Sequence, residues 1–128
     1  MPAKNVVDSS GWIEYFADLT NADFFEAAIE DSSALVVPYI SIYEVFKRLL
    51  AEPNGEEAAL RVVAAMQRGR VVDLDAELVL DAAKTSRETK LPMADSIILS
   101  TARTHEATVW TQDRDFESIA GVEYVEKR

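Results

Sequence analysis

The chain has 128 residues, a formal net charge of −10 and no cysteine. That length suits one domain, residues 1–128, and 48% hydrophobic with 28% charged residues is a globular balance that excludes a disordered or membrane-embedded chain. No disulfide is available, and a core of this size needs none; the lack of cysteine fits a reducing compartment.

The opening M-P-A-K-N-V-V-D turns polar at once and carries no apolar stretch of signal-peptide length, so the expectation is a soluble, cytoplasmic protein. Val6-Val7 then reads as a first strand. Residues 11–17 and 21–30 have the spacing of two short helices. Leu35-Val36-Val37 is a second strand. A stronger helix follows over residues 39–51, with Ile42, Val45, Phe46, Leu49 and Leu50 on its apolar side.

Pro53, Asn54 and Gly55 break the chain. The next helix, residues 56–68, is expected to bury Leu60, Val63, Ala64 and Gln67 and to end at Gly69. Val71-Val72 is a third strand. Asp75 is placed to cap a helix carrying Leu78, Val79 and Ala82. Pro92 suits the first turn of a last long helix, residues 93–104. Thr108-Val109-Trp110 is a fourth strand, and Val122 to Val125 a weaker fifth. Trp12, Phe16, Phe24, Phe25, Phe46 and Trp110 are assigned to the core or to a subunit interface. Strands alternating with helices predict a three-layer α/β/α sandwich around a parallel sheet of about five strands. Sheets of that kind take their ligands at the carboxyl ends of the strands.

Acidic residues stand at those ends. Asp8 follows the first strand in V-V-D-S-S, and Asp113 follows the fourth in V-W-T-Q-D-R-D-F. Either alone is equally a turn or cap residue. Asp115 shares the second loop, and spacing leaves open which of Asp113 and Asp115 points inward. Glu44 lies in the apolar helix Y-I-S-I-Y-E-V-F. Asp95 lies in the first turn of L-P-M-A-D-S-I-I-L-S, where the helix dipole also favours an acid. Carboxylates beside buried residues need a hydrogen-bonding partner or a cation. If all four meet, they repel one another unless a cation intervenes, and oxygen ligands without His or Cys select Mg²⁺ or Mn²⁺ over zinc. Such a site suits phosphodiester hydrolysis. Ser9 and Thr111 are possible auxiliaries that orient a ligand or water.

The charge of −10 argues against a phosphate-binding partner. Cation binding by the acids offsets part of it, and Lys47, Arg48, Arg68, Arg70, Arg87, Lys90 and Arg114 can supply local basic patches.

The segments V-V-D-S-S-G-W-I-E-Y-F, P-Y-I-S-I-Y-E-V-F-K-R-L and L-P-M-A-D-S-I-I-L-S-T-A-R-T-H-E-A-T-V-W-T-Q-D-R-D-F resemble, in order and spacing, the PIN-domain nucleases, and particularly the VapC toxins. The resemblance covers nearly the whole chain. It implies a Mg²⁺-dependent endoribonuclease, with Asp8, Glu44, Asp95 and Asp113 as metal and catalytic carboxylates and Asp115 as a secondary one. It also implies a homodimer, RNA as substrate and a VapB-like antitoxin as partner; a basic antitoxin would complement an acidic toxin.

Two other classes compete with this reading. A receiver-like phosphoacceptor domain would use Asp73 after the third strand, but it expects an acidic pair after the first strand and a late lysine, where this chain has Ser9-Ser10 and Thr111-Gln112-Asp113. Ser10 likewise denies the D-x-D of aspartyl-nucleophile hydrolases. A catalytically inactive PIN-like interaction module is disfavoured by the presence of all four acids. His105 has no partners for triad chemistry and reads as structural. With no Gly-rich phosphate loop, nucleotide cofactors are not expected.

Overall fold

The computed structural model describes residues 3–128. Five short strands alternate with six α-helices: β1 (Lys4–Val7), α1 (Ser9–Phe16), α2 (Ala22–Glu30), β2 (Val36–Pro38), α3 (Tyr39–Leu50), α4 (Gly55–Met66), β3 (Arg70–Val72), α5 (Ala76–Thr89), α6 (Met93–Thr104), β4 (Ala107–Thr111) and β5 (Val122–Tyr124). Val6, Val7, Val36 and Val37 are all buried, as strands covered on both faces must be.

Every strand pairing is parallel, but the ladders divide. β1, β4 and β5 form a three-stranded sheet in the order β1-β4-β5, and β2 pairs with β3 alone. A single parallel bridge, Asn5 to Leu35, joins the two. The expected five-stranded sheet is therefore a sheet of three strands with a pair alongside. The three-residue β2 and β3 pair with each other along their whole length, while β1 and β2 meet at that one bridge.

The two faces bury separate cores. On one, Val7, Trp12, Phe25, Ile29, Val45, Val62 and Met66 pack together, drawn from α1 to α4. On the other, Val6, Ile98, Leu99, Ala102, Val109 and Phe116 pack under α6. Consecutive residues such as Val6 and Val7 go to opposite cores, the alternation of a strand. Among the aromatic residues assigned to the core, Trp12 and Phe25 are buried and Phe24 packs on Trp110 at 5.2 Å between ring centroids, but Phe16 remains exposed.

Two local expectations are corrected. In α4 the buried stripe is Gly55, Ala59, Val62 and Met66, while Leu60 is 55% exposed and Ala64 and Gln67 lie outside. The stripe begins at Gly55 because α4 starts close against the end of α3, where a Cβ on Gly55 would collide with the Leu49 carbonyl, and Ala59, Val62 and Met66 follow on that face. Nor does Gly69 close the helix in a left-handed cap. The helix ends at Met66 and the positive φ angles fall elsewhere; a Cβ on Gly69 would lie 2.9 Å from the Leu35 carbonyl oxygen, so the glycine serves a close approach to β2. Asp75 does cap α5, accepting from the Leu78 amide at 2.9 Å.

Candidate active site

The register of β1 against β4 sets the first part of the site. Val7 lies opposite Trp110, so the next residues, Asp8 and Thr111, emerge side by side at the carboxyl edge. Thr111 Oγ1 donates to Asp8 Oδ2 at 2.7 Å. The other Asp8 oxygen accepts from the Gly11 amide at 3.0 Å and caps α1, which therefore starts at Ser9, two residues before the expected helix. The Ser10 hydroxyl lies 3.1 Å from both oxygens. Gly11 permits this turn, since a Cβ there would sit 2.6 Å from the Phe25 ring. Asp8 is thus both a cap and a member of the cluster, and only 3% exposed.

Thr111 reaches onward as well. Its Oγ1 accepts from the Asp113 amide at 2.9 Å, which bends the chain after β4. Asp113 Oδ1 then accepts from the Asp115 amide at 2.9 Å and caps the short 3₁₀ turn Arg114–Phe116, whose Phe116 is buried. From the far side comes Asp95 in the first turn of α6. One carboxylate oxygen from each of Asp95, Asp113 and Asp115 lies within 4.8 Å of the others. Glu44, one turn into α3, accepts from the Ser9 hydroxyl at 2.6 Å.

The electrostatics show how close these groups are. Burial pushes the Asp8 carboxyl up to about 6, against the pull of its hydrogen bonds from Thr111, Gly11 and Ser10, and the Asp113 charge adds to the rise. Asp95 is pushed up to about 7, first by burial, then by the charges of Asp113, Asp8 and Glu44, and by a hydrogen bond with Asp113. One carboxyl feels all three of the others.

Of the four acids singled out in the sequence, Asp95 and Asp113 stand together with Asp115, and Asp8 and Glu44 lie near enough for their charges to act on Asp95. Ser9 and Thr111, expected to orient a ligand or water, each hydrogen-bond a carboxylate, Glu44 and Asp8 respectively. Asp115, given a secondary place, belongs to the tightest trio. Asp73 is exposed and lines a separate cavity of about 580 Å³ with Asp75, Asp81, Lys84 and His105. His105, at the end of α6, has its pKa lowered by burial and by Arg70 and Lys4.

The PIN domain family profile matches residues 6–122. The chain belongs to the PIN domain family. Solved structures share the fold across nearly its whole length. A toxin–antitoxin complex from Klebsiella pneumoniae aligns with a TM-score of 0.77 at 22% identity, covering 94% of this chain and 96% of that one. DNA-bound VapBC from Salmonella typhimurium gives 0.75 at 20%, covering 98% of each. The sarcin–ricin-loop-cleaving toxin VapC20 of Mycobacterium tuberculosis gives 0.76 at 19%, covering 94% and 98%. Compared by sequence, curated proteins give no match. The receiver-like alternative finds no support in this PIN domain, where the converging acids stand away from Asp73.

The donor set of this PIN domain fits a hard divalent cation. It consists of carboxylate oxygens alone, drawn from Asp95, Asp113 and Asp115 with Asp8 and Glu44 beside them. That composition suits Mg²⁺ or Mn²⁺ and not zinc. Their mutual repulsion, visible at Asp95, is what a cation would relieve.

Proposed function

We propose that this PIN domain is a Mg²⁺-dependent endoribonuclease, the homodimeric, cytoplasmic toxin of a pair whose other member is a VapB-like antitoxin. The observation that carries the reading is the trio Asp95, Asp113 and Asp115, with one carboxylate oxygen from each within 4.8 Å of the others, where burial and then the charges of Asp113, Asp8 and Glu44 raise the Asp95 carboxyl. The toxin assignment draws on the toxin–antitoxin structures that share the fold, and RNA as substrate on the toxin among them that cleaves the sarcin–ricin loop.

Asp95, Asp113 and Asp115 would hold Mg²⁺, with Asp8 and Glu44 completing the acidic wall. A bound divalent cation supplies activation of water and polarisation of the phosphodiester. The chain's own contribution is orientation. Thr111 fixes Asp8 and the Asp113 backbone at once, and Ser9 aims Glu44, so the acids are held before substrate arrives. With its carboxyl near 7, Asp95 retains a proton part of the time at neutral pH and gives it up when positive charge enters.

Purified protein should cleave single-stranded RNA in Mg²⁺ or Mn²⁺, lose the activity in EDTA and regain it when excess Mg²⁺ is returned. Cleavage that persists in EDTA would refute the metal reading. The partner is expected to be basic, because a chain of net charge −10 offers an acidic surface to it. Co-expression with a small basic protein encoded beside this one should suppress RNA cleavage and yield a co-purifying complex. Undiminished cleavage in its presence would exclude that protein as the antitoxin.

A further inference from the structure

Glu14, Asn21 and Gln112 form a closed ring of hydrogen bonds beside the acid pocket, and each is at most 7% exposed. Glu14 Oε2 accepts from the Asn21 backbone amide at 2.9 Å and Oε1 from Gln112 Nε2 at 3.0 Å. Asn21 Nδ2 donates to Gln112 Oε1 at 2.9 Å and to the Glu126 carbonyl at 3.1 Å. The ring thus ties the end of α1, the turn into α2, the loop after β4 and the C-terminal segment to one another. The two ion pairs found among the described residues, Arg61–Glu57 and Arg103–Glu88, do not involve Glu14.

A buried carboxylate satisfied only by amides is a poor way to gain stability, since a well-packed apolar group of similar size usually does as well or better. What the ring does achieve is a fixed geometry. Gln112 stands between Thr111, which holds Asp8 and the Asp113 amide, and Asp113 itself. Gln112, just past the end of β4, is turned by its hydrogen bonds toward Glu14 and Asn21, while Thr111 holds Asp8 and Asp113 stands with Asp95 and Asp115. Any shift of Gln112 therefore moves both neighbours.

We infer that Gln112 is a positioning residue, clamped by Glu14 and Asn21, that holds the Thr111–Asp113 segment where Asp8 and Asp113 face Asp95. This rests on reading the acid pocket as the metal-binding centre. Gln112→Glu sets two carboxylates against each other across the ring. Adding Glu14→Gln exchanges donor and acceptor over that one bond: the new amide at 14 donates to the new carboxylate at 112, and both Asn21 donors keep their acceptors. The double variant also restores the wild-type net charge.

The measurements are made on the full chain at a temperature where circular dichroism shows each variant folded. Gln112→Glu should raise the Mg²⁺ concentration giving half of the maximal rise in melting temperature by about tenfold or more, the scale typical of lost outer-shell partners. It should lower kcat on RNA by a similar factor with KM within about twofold, and the double variant should return both to within about threefold of wild type. Gln112→Met, which removes the donor without adding charge, should move the Mg²⁺ midpoint in the same direction and serves if Gln112→Glu does not fold. An unchanged Mg²⁺ midpoint and kcat in the single variants, or a double variant as impaired as Gln112→Glu, would overturn the inference and leave the metal centre standing. A wild-type protein whose melting temperature ignores Mg²⁺ would remove the metal centre and the inference together.

Discussion

Asp95→Asn is expected to abolish RNA cleavage, by about a hundredfold or more, and at the same time to raise the melting temperature of the metal-free protein. Both effects come from one feature. Asp95 lies near Asp113, Asp8 and Glu44, and its carboxyl is pushed up to about 7 by burial and by those charges. Above that pH its ionisation is resisted by the fold, so the amide relieves a destabilising charge without changing shape. The same substitution removes a candidate ligand oxygen from the trio with Asp113 and Asp115. Function and stability should therefore move in opposite directions, as they do where a strained site is kept for its chemistry. Cleavage assays and thermal unfolding in EDTA at pH 8 check the pair of effects. Retained cleavage would remove Asp95 from the mechanism; a lowered melting temperature would mean that its carboxyl is satisfied in the metal-free fold.

The main parts of this site were readable in the sequence because strand ends and helix starts can be read there. Asp8 and Asp113 each follow a β-branched run, and the Val7–Trp110 register turns that shared position into physical proximity. Asp95 was readable from Pro92, which marks the start of α6. Asp115 was not, because in D-R-D-F only the 3₁₀ turn that Asp113 caps decides that the second acid comes back to the first. The ring around Gln112 was invisible for a different reason. Glu14, Asn21 and Gln112 are 7 and 91 positions apart, and nothing local distinguishes a buried Glu from a solvated one. One signal was available: Glu14 lies three residues after Gly11 on the face of α1 that goes to the core.

The α4 stripe failed in its phase. Leu60 and Val63 make a plausible apolar face by spacing, but the close approach of Gly55 to α3 fixes the helix's rotation, so Ala59, Val62 and Met66 go inward and Leu60 stays out. The division of the sheet could not be read either. Val36-Val37 and Val71-Val72 have the composition of central strands, and only the single Asn5–Leu35 bridge shows how weakly their ladder joins the rest.

The second large effect is the coupling of stability to pH and Mg²⁺. Asp8 and Asp95 both have folded pKa values raised above the ordinary 3.8, to about 6 and about 7. A raised carboxyl binds its proton more tightly in the folded state, so the stability it contributes is complete below about pH 4 and is lost as pH climbs through the folded value. For Asp8, buried at 3% exposure, that loss is about 2 kcal/mol between pH 4 and pH 7.5, and Asp95 adds to it in the same direction. Other carboxylates titrate over part of that range, so the informative quantity is the difference between unfolding in saturating Mg²⁺ and in EDTA. At pH 4.5 Asp8 and Asp95 are largely protonated, the trio lacks the Asp95 ligand oxygen, and the separation of the two melting curves should be small. By pH 7.5 the acids are mostly ionised and Mg²⁺ should raise the melting temperature by about 5–10 °C, since each kcal/mol is worth about 3–5 °C in a chain of this size. The gap should open between pH 5 and pH 7 and shrink in Asp95→Asn. A Mg²⁺ effect of equal size at pH 4.5 and pH 7.5 would show that cation binding does not depend on ionisation of Asp8 and Asp95. Without any Mg²⁺ effect at either pH, the charge in the pocket must be balanced some other way.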